Sequence, residues 1–270
     1  MTLLSVTALD KSFRKRRREP MVKAVDDVSF DLEAGRTMAI VGESGAGKST
    51  VGRLIARLVD ADSGRVVLDG VDMTELSGKA LVPMRRKVQM IFQDPYNSLD
   101  PTYTIGRSVA EPLRIHFGMN RTDRERRTVQ LLERVGLGSY HASRRPKQLS
   151  GGQLQRIAVA RALAVEPRLL ICDEPVAALD VSIRAEVLNL MRDLRESSDL
   201  SYVFITHDLS TVRVVADDIL VMRGGAVVER GSCDEVFAAP RHDYTRELLA
   251  AIPQFRGSGR PAEHHGEQLR

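Results

Sequence analysis

Apolar and polar positions alternate along VKAVDDVSFDL, Val22 to Leu32, as they do in a half-buried strand. LLSVTAL, Leu3 to Leu9, reads as a shorter first strand. TMAIVG is a continuous apolar strand, followed by a glycine-rich turn and a helical stretch, KSTVGRLIARLV. RVVLDG and KVQMIFQ read as strands. From about 104 to 165 the pattern changes to helical, with charged repeats such as RTDRERRTVQLLERV. There Val129, Leu132 and Val135 fall on one helix face, and the stretch reads as a helical insertion. RLLICDEP is again a buried strand, followed by a helix from about Ile183 to Glu196 and a strand at YVFIT. DDILVMRGGAVVERG has the form of a hairpin around Gly224 and Gly225. The pattern places one domain over residues 1–252 and a disordered polar tail over 253–270. Alternating strands and helices imply a largely parallel sheet with helices on both faces.

Composition narrows the class. The chain has 270 residues, 43% hydrophobic and 28% charged, which excludes wholesale disorder, collagen and coiled coil. Two cysteines exclude a disulfide scaffold and a four-thiolate metal site, and fit a reducing compartment. No apolar run approaches the roughly 18 residues of a membrane span, and MTLLSVTALDKSF is not a signal peptide. A cytoplasmic chain that does not itself span a membrane is expected.

The net charge of +4 raises the question of nucleic acid, but its location answers much of it. KSFRKRRRE, residues 11–19, holds six basic residues and one acidic one, so the rest of the chain is near −1. This run reads as a solvated loop, with phosphate or an anionic membrane surface as the alternative ligands. With no Trp, five Tyr and seven Phe, there is little material for base stacking, and no nucleic-acid partner is expected.

GESGAGKST supplies the first chemistry. Gly42, Glu43, Ser44, Gly45, Ala46, Gly47, Lys48, Ser49 and Thr50 match G-x-x-x-x-G-K-[ST] between an apolar strand and a helix. Glycines let backbone N–H groups turn toward phosphate, and the helix N-terminus adds positive potential. Lys48 is expected to reach the β- and γ-phosphates, and the Ser49 hydroxyl to bind Mg²⁺. The second is LLICDEP, which sets Asp173 and Glu174 at a strand end. Such a strand is expected beside the loop strand, with Asp173 holding Mg²⁺ and Glu174 polarising the attacking water as general base. Cys172 reads as a small core residue. LSGGQLQR, Leu149 to Arg156, opens a helix whose positive end is a second phosphate-binding end. One domain cannot easily use both ends on one nucleotide, so Ser150, Gly151, Gly152 and Gln153 should serve a nucleotide held by another subunit.

With these motifs in this order along nearly the whole chain, the sequence resembles the nucleotide-binding subunit of an ATP-binding-cassette (ABC) transporter. The resemblance implies a P-loop NTPase core with an antiparallel β subdomain and an inserted α-helical subdomain. It identifies Gln93 in MIFQDP with the Q-loop glutamine, a sensor of γ-phosphate and Mg²⁺. It identifies AALD, Ala177 to Asp180, with the D-loop, and His207 in FITHD with the switch histidine. Phe13 falls where such proteins place an aromatic against adenine. The D-loop commonly reads SALD, so Ala177 removes one hydroxyl and Asp180 remains. The implied mechanism is a head-to-tail pair of cassettes closing on two ATP and reopening after hydrolysis, which drives a two-subunit permease.

FQDPYNSLDP, Phe92 to Pro101, and HDYTRELLAAIP, His242 to Pro253, are similar to segments of dipeptide, oligopeptide and nickel importers, with Asp243 where Pro is usual. FQDPY resembles the second of the two different cassettes in that group. A peptide importer subunit on the cytoplasmic face of the inner membrane is expected, with a partner cassette, two permeases and, indirectly, a solute-binding protein. Nickel or metal-chelate import is the alternative. Soluble cassette ATPases of DNA repair insert coiled coils or zinc modules, and neither the heptads nor the cysteines are here. Those of translation usually carry two cassettes in one chain.

Overall fold

A computed structural model describes residues 1–14 and 20–251. Most of the basic run and the tail from residue 252 lie outside the described residues. Strands β1 (Thr2–Phe13), β2 (Val22–Glu33), β4 (Ser63–Leu68) and β5 (Val71–Asp72) form an antiparallel sheet in the order β2-β1-β4-β5. Strands β3 (Thr37–Val41), β6 (Val88–Ile91), β7 (Leu169–Asp173), β8 (Ser201–Thr206), β9 (Asp218–Arg223) and β10 (Ala226–Ser232) form the second sheet, ordered β10-β9-β3-β8-β7-β6. It is parallel except where β10 returns against β9.

The helices are α1 (Lys48–Ile55), α2 (Gly78–Lys87), α3 (Pro95–Ser98), α4 (Ile105–Phe117), α5 (Arg121–Arg134), α6 (Gly151–Leu163), α7 (Val181–Ser197), α8 (Leu209–Val215), α9 (Cys233–Ala238) and α10 (Asp243–Ala250). Both faces of the parallel sheet are covered, which is why its strands are continuous apolar runs. Met38, Ile40, Ile171 and Ile205 face the antiparallel sheet and α1. Leu170, Cys172 and Phe204 face α4, α5, α6 and α7 on the other side. Ala39, Val41, Ile219 and Val221 pack with residues of α8, α9 and α10. Cys172 is fully buried, and burial pushes its thiol up.

Two expectations need correcting, and one helix was not expected. The first strand continues to Phe13, through register shifts near Ala8, which has φ 47. Its period breaks there, so its second half does not read as a continuation. The helix α2 contains Pro83 and buries only Leu81 and Met84, too weak an apolar stripe to announce itself. Strand β7 does not lie beside the loop strand β3, because β8 is between them. In the helical stretch, Leu131, Leu132 and Val135 are buried, and Val129 is half-buried.

Helix α1 spans the gap that β8 opens. A Cβ at Gly52 would meet Ile205 Cδ1 at 2.7 Å and Ile171 Cγ2 at 3.1 Å. The missing side chain lets α1 lie close over β8 and β7. That brings the first turn of α1 to the end of β7.

Candidate functional site

The loop between β3 and α1 is braced by three neighbours. A Cβ at Gly47, where φ is 98°, would sit 2.1 Å from the Ala24 carbonyl oxygen of β2, so only glycine fits. Gly225, in the β9–β10 turn, donates its N–H to the Ala46 carbonyl at 3.1 Å. The Tyr244 hydroxyl of α10 accepts from the Glu43 N–H at 2.9 Å. Within the loop, the Lys48 ammonium donates to the carbonyls of Gly42 and Glu43, both at 2.8 Å. Lys48 is only 5% exposed. Burial lowers its pKa, against the opposing pull of Glu174, Asp173 and Glu43. Ser44 and Gly45 at the loop tip are exposed, and Thr50 is half-buried in α1.

The acidic motif meets this loop. Ser49 Oγ donates to Asp173 Oδ1 at 2.8 Å. Burial raises the Asp173 carboxyl, and the Ser49 hydroxyl and Arg53 partly offset that. Glu174 follows in the left-handed backbone region at φ 48°. Such a conformation is uncommon for a residue other than glycine, and it clusters at functional sites. Its N–H is tied to the Ile205 carbonyl of β8 at 2.9 Å. That turn aims the carboxylate at two partners. Glu174 Oε1 lies 2.9 Å from His207 Nδ1, and Oε2 accepts from Gln93 Nε2 at 3.3 Å. Three strand ends, of β6, β7 and β8, thus bring Gln93, Glu174 and His207 together. The glutamate side chain is 16% exposed and the histidine 59%.

The turn carrying His207 depends on Asp208, which motif reasoning passed over. Its N–H donates to Thr206 Oγ1 at 3.0 Å, and its carboxylate accepts from Arg184 of α7 at 2.9 Å and Thr211 at 3.0 Å. It also caps α8 by accepting from the Ser210 N–H. The signal was present, since an Asp directly before an apolar helical run is a favoured N-cap.

Other expected site residues lie apart. Ser150 caps α6 reciprocally with Gln153: Ser150 Oγ accepts from the Gln153 N–H at 3.3 Å, and Gln153 Oε1 from the Ser150 N–H at 3.1 Å. A Cβ at Gly151 would meet Leu179 Cδ2 at 3.4 Å, ordinary contact. Among the described residues, no hydrogen bond or ion pair joins this helix end to the glycine-rich loop. Asp180 is exposed at the N-terminus of α7, and Ala177 is exposed. Phe13 ends β1 on the antiparallel sheet, 42% exposed, with Lys11 Nζ 5.5 Å from its ring centroid.

The close approach at Gly152 is intramolecular. A Cβ there would lie 2.3 Å from Ile183 Cγ2 of α7, a branched side chain with little freedom to yield. Gly152→Ala is therefore expected to cost about 1–3 kcal/mol of stability through overpacking. A lowered urea unfolding midpoint at unchanged slope would show it.

The ABC transporter family model matches residues 25–177. The dipeptide transport ATP-binding protein DppF of Escherichia coli (strain K12) is 47% identical over 88% of this chain and 71% of its own length. The oligopeptide transport ATP-binding protein OppF of Bacillus subtilis (strain 168) is 51% identical over 86% of this chain and 77% of its own length. Among solved structures, the dimeric post-hydrolysis state of the ATP-binding cassette MJ0796 bound to ADP and Pi is 29% identical, with a TM-score of 0.77. It covers 86% of this chain and 99% of that one.

Proposed function

Because the chain belongs to the ABC transporter family, we propose that it is the ATP-hydrolysing subunit that energises import of di- and oligopeptides through a membrane permease. The relatives named for dipeptide and oligopeptide transport support the cargo class. One observation carries the chemistry: the Glu174 carboxylate is held between His207 and Gln93 at the end of the strand whose Asp173 bonds Ser49.

In this reading the phosphate loop holds the triphosphate of ATP, with Lys48 leaving the Gly42 and Glu43 carbonyls for the β- and γ-phosphates. Glu174 accepts the proton of the attacking water, and His207 and Gln93 fix the orientation of its carboxylate. Phe13 stacks on the adenine. Ser150, Gly151, Gly152, Gln153 and Asp180 face a nucleotide on a second cassette, and the dimeric state of the solved relative favours such a pairing. The hard oxygen donors Ser49 and Asp173, already 2.8 Å apart, fit Mg²⁺, with Gln93 as a third ligand. Mg²⁺ would neutralise charge developing on the phosphate oxygens.

The partners are a second, different cassette, two permease subunits and, through them, an extracytoplasmic binding protein. No described helix is long and apolar enough to cross a membrane. In this reading, which the importer relatives support, the chain works as a peripheral subunit on the cytoplasmic face. Reconstitution with its permeases and partner cassette in proteoliposomes tests this. ATP-dependent uptake of a labelled dipeptide is expected. Uptake of a nickel chelate without peptide would replace the cargo, and no ATP turnover would refute the reading as a whole.

A further inference from the structure

The His242–Pro253 segment carries no part of the chemistry above, yet its helix reaches the phosphate loop. The Tyr244 hydroxyl accepts from the Glu43 N–H at 2.9 Å, across 201 positions of sequence. Tyr244 is 5% exposed. Its ring packs in the cluster of Val41 and Val221, the first of which directly precedes the loop. The Arg223 guanidinium carbon lies 4.7 Å from the ring centroid.

The start of α10 is itself anchored. Glu229 of β10 accepts from the N–H groups of Arg241 at 2.7 Å and His242 at 2.9 Å. His242 Nδ1 accepts from the Tyr244 N–H at 3.1 Å. Burial pushes the Glu229 carboxyl up, but the polar groups around it, the Arg241 N–H first among them, together hold it below the usual value. A packed ring on an anchored helix start is a rigid mount for one acceptor oxygen.

The peptide units flanking Glu43 are held from both ends. The Glu43 N–H goes to Tyr244, while its carbonyl accepts Lys48 Nζ at 2.8 Å and the Ala46 N–H at 3.2 Å. When Lys48 turns to phosphate, the carbonyl loses a partner and the Tyr244 bond remains. We propose that Tyr244 is a positioning residue for the nucleotide, presetting the first turn of the phosphate loop through the Glu43 N–H. Ordering that turn beforehand removes part of the entropy cost of binding. The proposal rests on the reading that this loop binds ATP.

Tyr244→Phe removes the oxygen and keeps the ring, and Tyr244→Leu removes both. Full-length wild type and both variants are compared for thermal melting, ATP Kd, steady-state kinetics and hydrogen exchange at the Glu43 amide. Tyr244→Phe is expected to melt at or a few degrees below the wild type, to exchange Glu43 faster, and to raise Kd and KM for ATP by up to about fivefold, the ceiling that one ordinary hydrogen bond sets. Its kcat at saturating ATP should be unchanged. A merely structural tyrosine would leave Kd alone in Tyr244→Phe and lower the melting temperature in Tyr244→Leu. Wild-type Kd in Tyr244→Phe overturns the assignment, whatever its melting temperature. Absence of ATP binding by the wild type would overturn the nucleotide reading and the assignment with it.

Discussion

Glu174→Gln is expected to lower ATP turnover about 10²–10⁴-fold, the usual worth of a positioned general base. The substitution is close to isosteric. Glutamine can still meet His207 and Gln93, which lie 2.9 and 3.3 Å from the carboxylate oxygens. It cannot take the proton of the attacking water. The backbone turn at φ 48° and the N–H bond to Ile205 do not depend on the side chain. Stability should therefore stay within about 0.5 kcal/mol and ATP affinity within about twofold. Phosphate release at saturating ATP measures the loss, and nucleotide binding measures the control. Turnover at the wild-type rate would show that Glu174 is not the base.

In the proposed mechanism His207 acts through the same carboxylate, and it is expected to be more replaceable. Its side chain is more than half exposed, and its turn is held by Asp208, Arg184 and Thr206 rather than by the imidazole. The order of severity, Glu174 before His207, follows from which of them receives the proton.

What was readable in the sequence was local. The glycine-rich loop announces itself because Gly47 must adopt φ 98°, and the start of α6 because Ser150 and Gln153 cap each other three residues apart. The buried strands were readable because each is apolar on both faces. Strand order was not, since pairing β8 between β3 and β7 joins residues far apart in the chain, and nothing within LLICD or SYVFIT encodes a neighbour. The roles of Gln93 and His207 came through family order; the residue types alone do not imply that both meet Glu174. Tyr244 was hidden for the same reason: HDYTRELL reads as an amphipathic helix, and its partner Glu43 lies 201 positions away in the sequence. Gly152 shows the reverse case. Its motif is legible in the sequence, but the tight packing is not: the atom nearest its missing side chain is Ile183 of the same chain.

The charge arrangement around the loop makes Lys48→Ala the second large effect. Lys48 is nearly buried, beside Asp173 and Glu174, and burial lowers its pKa while those acids oppose the shift. Two backbone carbonyls, of Gly42 and Glu43, are its hydrogen-bond partners. Neutral carbonyls are weak compensation for a desolvated ammonium, so phosphate oxygens should win it. Removing the cation forfeits charge-assisted bonds worth about 1.5–3 kcal/mol each. With two phosphates engaged, ATP Kd is expected to rise about 100-fold or more. Lys48→Arg should not rescue, because a planar guanidinium is larger and needs a different donor geometry in the same narrow space. Asp173 also loses one of the charges that hold its raised carboxyl down. Titration calorimetry with ATP, on protein shown by circular dichroism to be folded, decides the matter. Wild-type affinity in Lys48→Ala would mean that the loop's backbone N–H groups alone hold the nucleotide. A loss no greater than that of Tyr244→Phe would mean that the lysine only braces the loop.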